Sequence, residues 1–458
     1  MKTFMLAHDL RLALRSLRRT PGVSVLMVGA EAVGIAAAMI AITLYHVRAG
    51  NPIPWKDGTL FAVTLDTRGA DVDFSRSRHP DYPPDQVTYQ DARALYASNI
   101  PMRSVMMYRA SQVLTPDRAG IKPIDTSVRV TTADFFSIFD VPMMYGSGWS
   151  REDDDAPAAV VVLSKVMNQK LFGGENSVGR NITLSGRSYR VLGVTGPWMP
   201  RPKYYDLTGS DFAPAEDVYL PFGWMRTLKL ETSGSTSCLT RQAHLTGFDS
   251  LLTEDCVWLQ YWVEFRRPTD RDRFQALVDR YTDDQRTHGR FERKNNNRIV
   301  NVPTWLNMGD VIGDRSRIRL ALGLTFLGVC VLNTLGLMLS KFMSAAPIAG
   351  LRRALGASRR DITRQHLVEA TIIGLLGGSV GLLLTVAGLT QLKWLMYGSW
   401  LRESDNPDQI ALVQALVHMD LSVVLLAIAL SILAGVLTGI YPAYRVGRMA
   451  PATFLKTE

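Results

Sequence analysis

Only three cysteines occur among 458 residues, so no disulfide framework holds this chain together. Glycine (36) and proline (22) are ordinary in number and 47% of the residues are apolar, which excludes a collagenous or disordered polymer. No G-x-x-x-x-G-K-[ST] phosphate loop, H-E-x-x-H zinc motif or G-x-S-x-G nucleophile turn is present. The seven histidines (His8, His46, His79, His244, His288, His366 and His418) are scattered, so no catalytic or metal-ligating constellation emerges. The sequence predicts no catalytic residue and no metal site. What it has in abundance is segregation: the near-neutral mean hydropathy conceals apolar residues gathered into long blocks.

Four runs are long enough to cross a bilayer: Pro21 to Val47, Leu320 to Ser340, Val368 to Leu392 and Leu421 to Tyr441. About 20 apolar residues at 1.5 Å each match a hydrocarbon layer of roughly 30 Å. The first run is too long for the apolar core of a cleavable signal peptide and follows a basic leader, so it reads as an uncleaved span. Orientation follows from the bases. Lys2, Arg11, Arg15, Arg18 and Arg19 precede the first span, and Lys341, Arg352, Arg353, Arg359, Arg360 and Arg364 lie between the second and third. Arg445, Arg448 and Lys456 follow the fourth, whereas the loop between the third and fourth is rich in acids. Positive short loops stay cytoplasmic, which puts both termini inside and the long middle segment outside. The net charge of +9 then reflects topology and anionic-lipid contact, and no nucleic-acid partner is needed to explain it.

These signals divide the chain into an amphipathic cytoplasmic leader (1–20), a first span (21–47), an external domain (48–316) and a second span with stalk (317–345). A cytoplasmic loop (346–366), a third span (367–392), an external loop (393–419), a fourth span (420–441) and a tail (442–458) follow. In the leader, Leu6, Leu10, Ala13, Leu14 and Leu17 share one side at helical spacing, as an interfacial helix requires. The fold class is a four-helix membrane protein carrying a large α+β domain between its first and second spans.

Within the external segment, strands are predicted at Thr59 to Leu65, Ser104 to Tyr108, Ser127 to Val130, Ala158 to Leu163, Asp217 to Pro221, Cys256 to Phe265 and Arg298 to Val302. A hairpin pairs Asn181 to Leu184 with Tyr189 to Val194. Helices are predicted at Thr88 to Ser98, Ser164 to Leu171 and Asp270 to His288, the last with Phe274, Leu277, Val278 and Tyr281 on one side. Cys238 and Cys256 bracket a polar insertion in this oxidising compartment, which predicts a Cys238–Cys256 disulfide, the alternative being two unpaired thiols. Cys330, inside a span, reads as a small apolar residue.

Three motif sets carry a resemblance. From Asp134 to Val194 a Phe-Phe pair, a Gly-Trp turn, an acidic cluster, V-V-L-S, L-F-G, V-G-R and V-L-G-V follow in order. The run from Gly350 to Ala370 (GLRRALGASRRDITRQHLVEA) and Tyr441-Pro442-Ala443 with Arg445, Arg448, Pro451 and Ala452 complete the set. Together they resemble the permeases of MacB-type ABC transporters, whose layout of one span, a large periplasmic domain and three spans this chain repeats. The resemblance implies a bacterial inner-membrane protein that works by mechanotransmission with a periplasmic external domain. It places the ATPase-coupling helix at Gly350, Leu351, Arg352, Arg353, Ala354, Leu355, Gly356 and Ala357. It further implies an ABC ATPase partner that binds ATP and Mg while this chain binds no cofactor directly, and a dimer with a second copy or a homologous permease. The expected function is export of a hydrophobic drug, peptide or toxin in a tripartite pump with a periplasmic adaptor and outer-membrane channel. The alternatives are a lipoprotein-releasing permease, or a signalling permease that regulates a periplasmic enzyme.

The local chemistry agrees with that assignment of the loop. Gly356 is a natural helix stop and Ser358 can cap the next helix, with Asp361 in its first turn. Pro347-Ile348-Ala349 stands where relatives place Arg-Glu-Ile, which favours pairing with a different permease over a symmetric homodimer. Glu31 is the intramembrane charge, read chiefly as a packing or assembly residue. Gly22, Gly29, Gly34, Gly374, Gly377, Gly378 and Gly381 allow close helix approach and suggest dimer packing.

Overall fold

The computed structural model describes residues 12–13, 15–70, 80–116, 122–209, 213–240, 243–311, 313–400 and 421–448. Most of the leader (Lys2, Leu6, His8, Leu10, Arg11 and Leu14), much of the loop 393–419 and the end of the tail lie outside the described residues. The chain forms two compact units, one from its two ends and one from its middle.

The first unit is helical. It contains α1 (Pro21–Ala49), α2 (Asp314–Ser344), α3 (Ala346–Ala354), α4 (Arg359–Trp400) and α5 (Leu421–Arg448). Four of these contain stretches long and apolar enough to cross a membrane: Pro21–His46, Ser316–Ser344, Arg359–Leu392 and Val424–Arg445. Helices are what such sequences must form, because hydrocarbon offers no partner to a free backbone N–H or C=O. Leu322, Leu332 and Leu383 stand exposed on the unit's outside, as lipid-facing residues do. Inside, Met27, Met338, Phe342, Ile362, Ala370 and Ile373 form one buried cluster, and Ile35, Ala38, Met39, Leu327 and Ala427 another.

The glycines of α4 are used inside this bundle, and the expectation of dimer packing for them is corrected accordingly. A Cβ on Gly374 would lie 2.8 Å from the Gly435 Cα, and one on Gly378 would lie 2.3 Å from the Ser431 Cβ. On the other side of the same helix, Gly381 meets the Ala32 carbonyl and Gly377 meets Glu31. Bare backbone thus lets α4 touch α1 and α5 at once. Gly34 packs on Cys330 of α2, whereas Gly22 and Gly29 face open space.

The middle unit is α+β. Its main sheet runs β12-β1-β11-β2-β3-β8-β5-β7-β4, with β6 pairing β2 and β7. The strands are β1 (Leu60–Thr64), β2 (Arg103–Thr115), β3 (Ile124–Thr131), β4 (Met143–Gly146), β5 (Val160–Leu163), β6 (Asn181–Leu184), β7 (Arg187–Thr195), β8 (Val218–Pro221), β11 (Gln260–Glu264) and β12 (Arg298–Asn301). β3–β8 and β5–β7 are parallel, and the other pairings are antiparallel. β1, β5, β8 and β11 are buried on both faces, and β1, β5 and β8 read as near-continuous apolar runs. Phe61, Val63, Met106 and Tyr108 face one core with Phe274 and Val278 of the helix Pro268–Thr287. Leu60, Ala62, Val105 and Met107 face the other, with Phe135, Phe139, Tyr205, Trp262 and Trp305.

Two strand expectations are corrected. The run Cys256 to Phe265 is broken: β10 (Cys256–Val257) pairs with β9 (Ser237–Cys238) in a separate ribbon, and only Gln260–Glu264 joins the main sheet. Buried Trp258, whose indole donates to the Leu251 carbonyl, occupies the break. β2 continues seven residues beyond Tyr108, because its backbone pairs with β3 as far as Leu114 opposite Ile124.

Candidate functional site

Helix α3 occupies the loop between the second and third spans. Pro347 sits in its first turn, where the missing N–H is harmless. At its end the Ala357 N–H donates to the Arg352 carbonyl at 3.0 Å, closing the helix over Gly356, whose φ of +103° favours glycine. The next helix starts at once: the Asp361 N–H donates to Ser358 Oγ at 3.2 Å, and Ser358 Oγ donates to Asp361 Oδ2 at 2.6 Å. Gly350, Leu351, Arg352, Arg353 and Ala354 therefore lie in α3, and Leu355, Gly356 and Ala357 form the turn.

The two sides of α3 differ. Ala346 is buried, and the Arg352 Nη1 donates to Gln365 Oε1 of α4 at 2.8 Å. Leu351 and Leu355 point out, the last 80% exposed, whereas Ile348, one turn before Arg352, lies on the Arg352 side. The outward side of this short helix is thus an exposed apolar edge.

Beside α3, four segments are pinned by buried charge. Lys341 of α2 and Glu369 of α4 pair at 2.6 Å with side chains 4% and 1% exposed. Ser16 Oγ donates to Glu369 Oε1 at 2.7 Å, and Lys341 Nζ donates to Ser24 Oγ of α1 at 3.4 Å. His366 lies 4.1 Å from the Phe342 ring, and Leu17 packs on the adjoining Met27 cluster. The leader thus makes contact with helices as well as any bilayer surface. The sequence places Lys341 among the topology charges and singles out no role for Glu369, so their pairing is not read from it. The available signal was that each sits within an apolar helix, where a lone charge is costly and demands its opposite.

Glu31 is fully buried between α1, α4 and α5. Thr438 Oγ1 donates to its Oε1 at 3.5 Å, and Gly377 leaves room for its Oε2. In the middle unit, buried Arg129 reaches Glu216 and Asp206, Lys203 reaches Glu216 at 2.7 Å, and the Tyr205 hydroxyl donates to Glu216 at 2.9 Å. Burial works against ionised Glu216, but Arg129 and Lys203 outweigh it and draw its carboxyl down to about 2. Asp91 behaves oppositely. Burial pushes its carboxyl up despite Arg290, Thr88 and Tyr281. Cys238 and Cys256 face each other across β9 and β10 and are joined as a disulfide. Among the described residues no group of His, Cys, Asp or Glu is arranged to hold a metal ion.

Residues 24–281 match the MacB-like periplasmic core domain, and residues 320–451 match the FtsX-like permease C-terminal domain. The chain belongs to the MacB-type permease family. These ABC transporter permeases are multi-pass inner-membrane proteins, and the α+β unit is the MacB-like periplasmic domain. The macrolide export ATP-binding/permease protein MacB of Syntrophobacter fumaroxidans is 23% identical over 372 residues, 72% of this chain and 47% of its own length. The pyoverdine export ATP-binding/permease protein PvdT of Pseudomonas fluorescens is 24% identical over 391 residues, 83% of this chain and 50% of its own. The chain therefore spans about half the length of the curated relatives it matches. The periplasmic region of MacB from Actinobacillus actinomycetemcomitans aligns with 56% of this chain and 94% of its own at 15% identity and a TM-score of 0.36.

Proposed function

We propose that this MacB-type permease is a lever driven by an ABC ATPase lying outside the residues of this chain. The motor, which binds ATP and Mg, grips the outward edge of α3 from the cytoplasm. The Arg352–Gln365 bond and the Lys341–Glu369 pair pass the stroke to α4 and α2. The periplasmic domain, joined by chain to α1 and α2, then changes shape and does the work outside the bilayer. This orientation rests on the bases flanking the spans. The permease acts as one of a pair, with a second copy or a homologous permease. Its cargo is a hydrophobic drug, peptide or toxin, passed on through a periplasmic adaptor and outer-membrane channel. The names of relatives that export macrolides and pyoverdine support export as the task.

The observation that carries the reading is the two-sided α3, pinned on one side and apolar on the other. Leu351→Asp with Leu355→Asp alters only exposed side chains and so leaves the fold intact. Co-purification with the motor and stimulation of its ATP hydrolysis should each fall at least about tenfold, the expected loss from charging an apolar contact centre. Undiminished association and stimulation would refute the assignment.

A further inference from the structure

A cavity of about 380 Å³ opens between the leader, the end of α2, α3 and the start of α4. That volume suits a small ligand or headgroup. Its wall is half apolar, with Leu12, Phe342 and Ile362, and half basic, with Arg15, Arg19 and Arg352. Lys341 and Glu369 also reach it, but at 2.6 Å they neutralise each other. The three arginines are different. Among the described residues, Arg15 and Arg19 are exposed with no carboxylate partner, and Arg352 bonds only the neutral Gln365. Thr20 Oγ1, on the same wall, has no hydrogen-bond partner either.

Three uncompensated guanidinium groups around one concavity repel each other and gain most from a shared anion with several acceptor oxygens. The apolar half of the wall asks in addition for a ligand with a greasy side. Placed at the ends of membrane-spanning helices, such a basic pocket meets lipid headgroups. The geometry points to a phosphate-binding site in this cavity, taking the phosphodiester of an anionic lipid headgroup or a free phosphate. Bound there, the phosphate bridges the leader to α3 and so ties the coupling helix to the leaflet beside it. The site rests on the spans crossing a membrane and does not depend on a motor gripping α3, so either idea can fail alone.

The test uses the full chain in a neutral detergent, titrated calorimetrically with dihexanoyl phosphatidylglycerol, dihexanoyl phosphatidylcholine and inorganic phosphate. Saturable binding of phosphatidylglycerol, one per chain and tighter than phosphatidylcholine, is expected. Saturation by inorganic phosphate alone would identify the free ion as ligand at the same site, and saturation by the lipid alone would identify the headgroup. In either case Arg15→Gln, Arg19→Gln and Arg352→Gln together should weaken binding on the order of 100-fold, about fivefold for each base. Arg18→Gln with Arg360→Gln removes exposed charge that does not line the cavity and should change nothing. Arg15→Gln alone touches no partner, preserves the fold and should still cost about fivefold. Equal affinity of wild type and triple variant, equal binding of both lipids, or no saturable binding of any probe would overturn the site.

Discussion

Replacing Lys341 by methionine keeps an unbranched side chain one atom shorter and deletes its charge. Glu369, 1% exposed, would then keep the Ser16 hydroxyl at 2.7 Å as its closest neutral donor. At an effective dielectric of about 20, charges 2.6 Å apart attract by roughly 6 kcal/mol. Withdrawing both ions from water costs a comparable amount, so the pair as a whole contributes little net stability. Removing one member is a different matter, because the desolvation of the other is no longer compensated. Each of Lys341→Met and Glu369→Met should therefore cost about 3–5 kcal/mol, whereas the double substitution should cost far less than their sum. Equilibrium unfolding of the purified chain in mixed micelles, run as a double-mutant cycle, measures the difference. A coupling energy of at least about 3 kcal/mol is expected. If the two losses simply add, the pair is no pin, and the transmission route through it is wrong.

Gly377→Ala should push α1 from α4, since its Cβ would lie 2.8 Å from the Glu31 Cβ, and should cost about 1–3 kcal/mol in the same assay. Glu31→Ala in the same chain keeps the clashing Cβ and should restore little of that loss, whereas Glu31→Gly removes it and should restore more. Arg129→Met, which takes the guanidinium from Asp206 and leaves Glu216 only Lys203 and Tyr205, should destabilise the periplasmic domain by about 3–5 kcal/mol, read from tryptophan fluorescence during urea unfolding. Acid should act through the same cluster. The carboxyl of Glu216, lowered from 4.5 to about 2, contributes about 3 kcal/mol that is present above pH 4.5 and lost as pH falls toward 2. Asp91 has the reverse sign: its raised carboxyl favours the fold below pH 3.8 and that contribution disappears as pH climbs through the raised value. Glu216→Gln should accordingly flatten the acid limb of the stability profile. Reducing the disulfide, which closes a loop of 18 residues, should cost about 3 kcal/mol and speed proteolysis between residues 239 and 255.

The helical unit was legible because lipid imposes its demand on composition: long apolar runs have one viable conformation. The periplasmic strands were legible where both faces are buried, as at Val160–Leu163, or where a turn marks a hairpin, as at Asn181–Leu184, and faded where backbone pairing alone holds them. Beyond Tyr108, β2 carries Arg109, Ser111 and Gln112, and nothing local shows that it continues. β4, short and half-exposed, exists because β7 offers it an edge. The punctuation around α3 could be read from Gly356 and Ser358, since caps are chemistry of adjacent residues. The Lys341–Glu369 pair could not, because it depends on the relative rotation of two helices. The same holds for Glu31 against Gly377: the sequence shows a buried acid but not which helix makes room for it.

The antiparallel pairing of β1 with β12 has a mechanical meaning. Phe61 opposite Asn301 and Thr64 opposite Arg298 put the first residues of β1 beside the last of β12. The polypeptide therefore enters and leaves the periplasmic domain at the same end of one ladder, where Asn301 Nδ2 also donates to Asp57 Oδ1 at 3.0 Å. Tension that separates these two ends loads the rungs one after another, like a zipper, instead of straining all of them together. A modest tug is then enough to peel this seam, and the rest of the sheet stays closed while it happens.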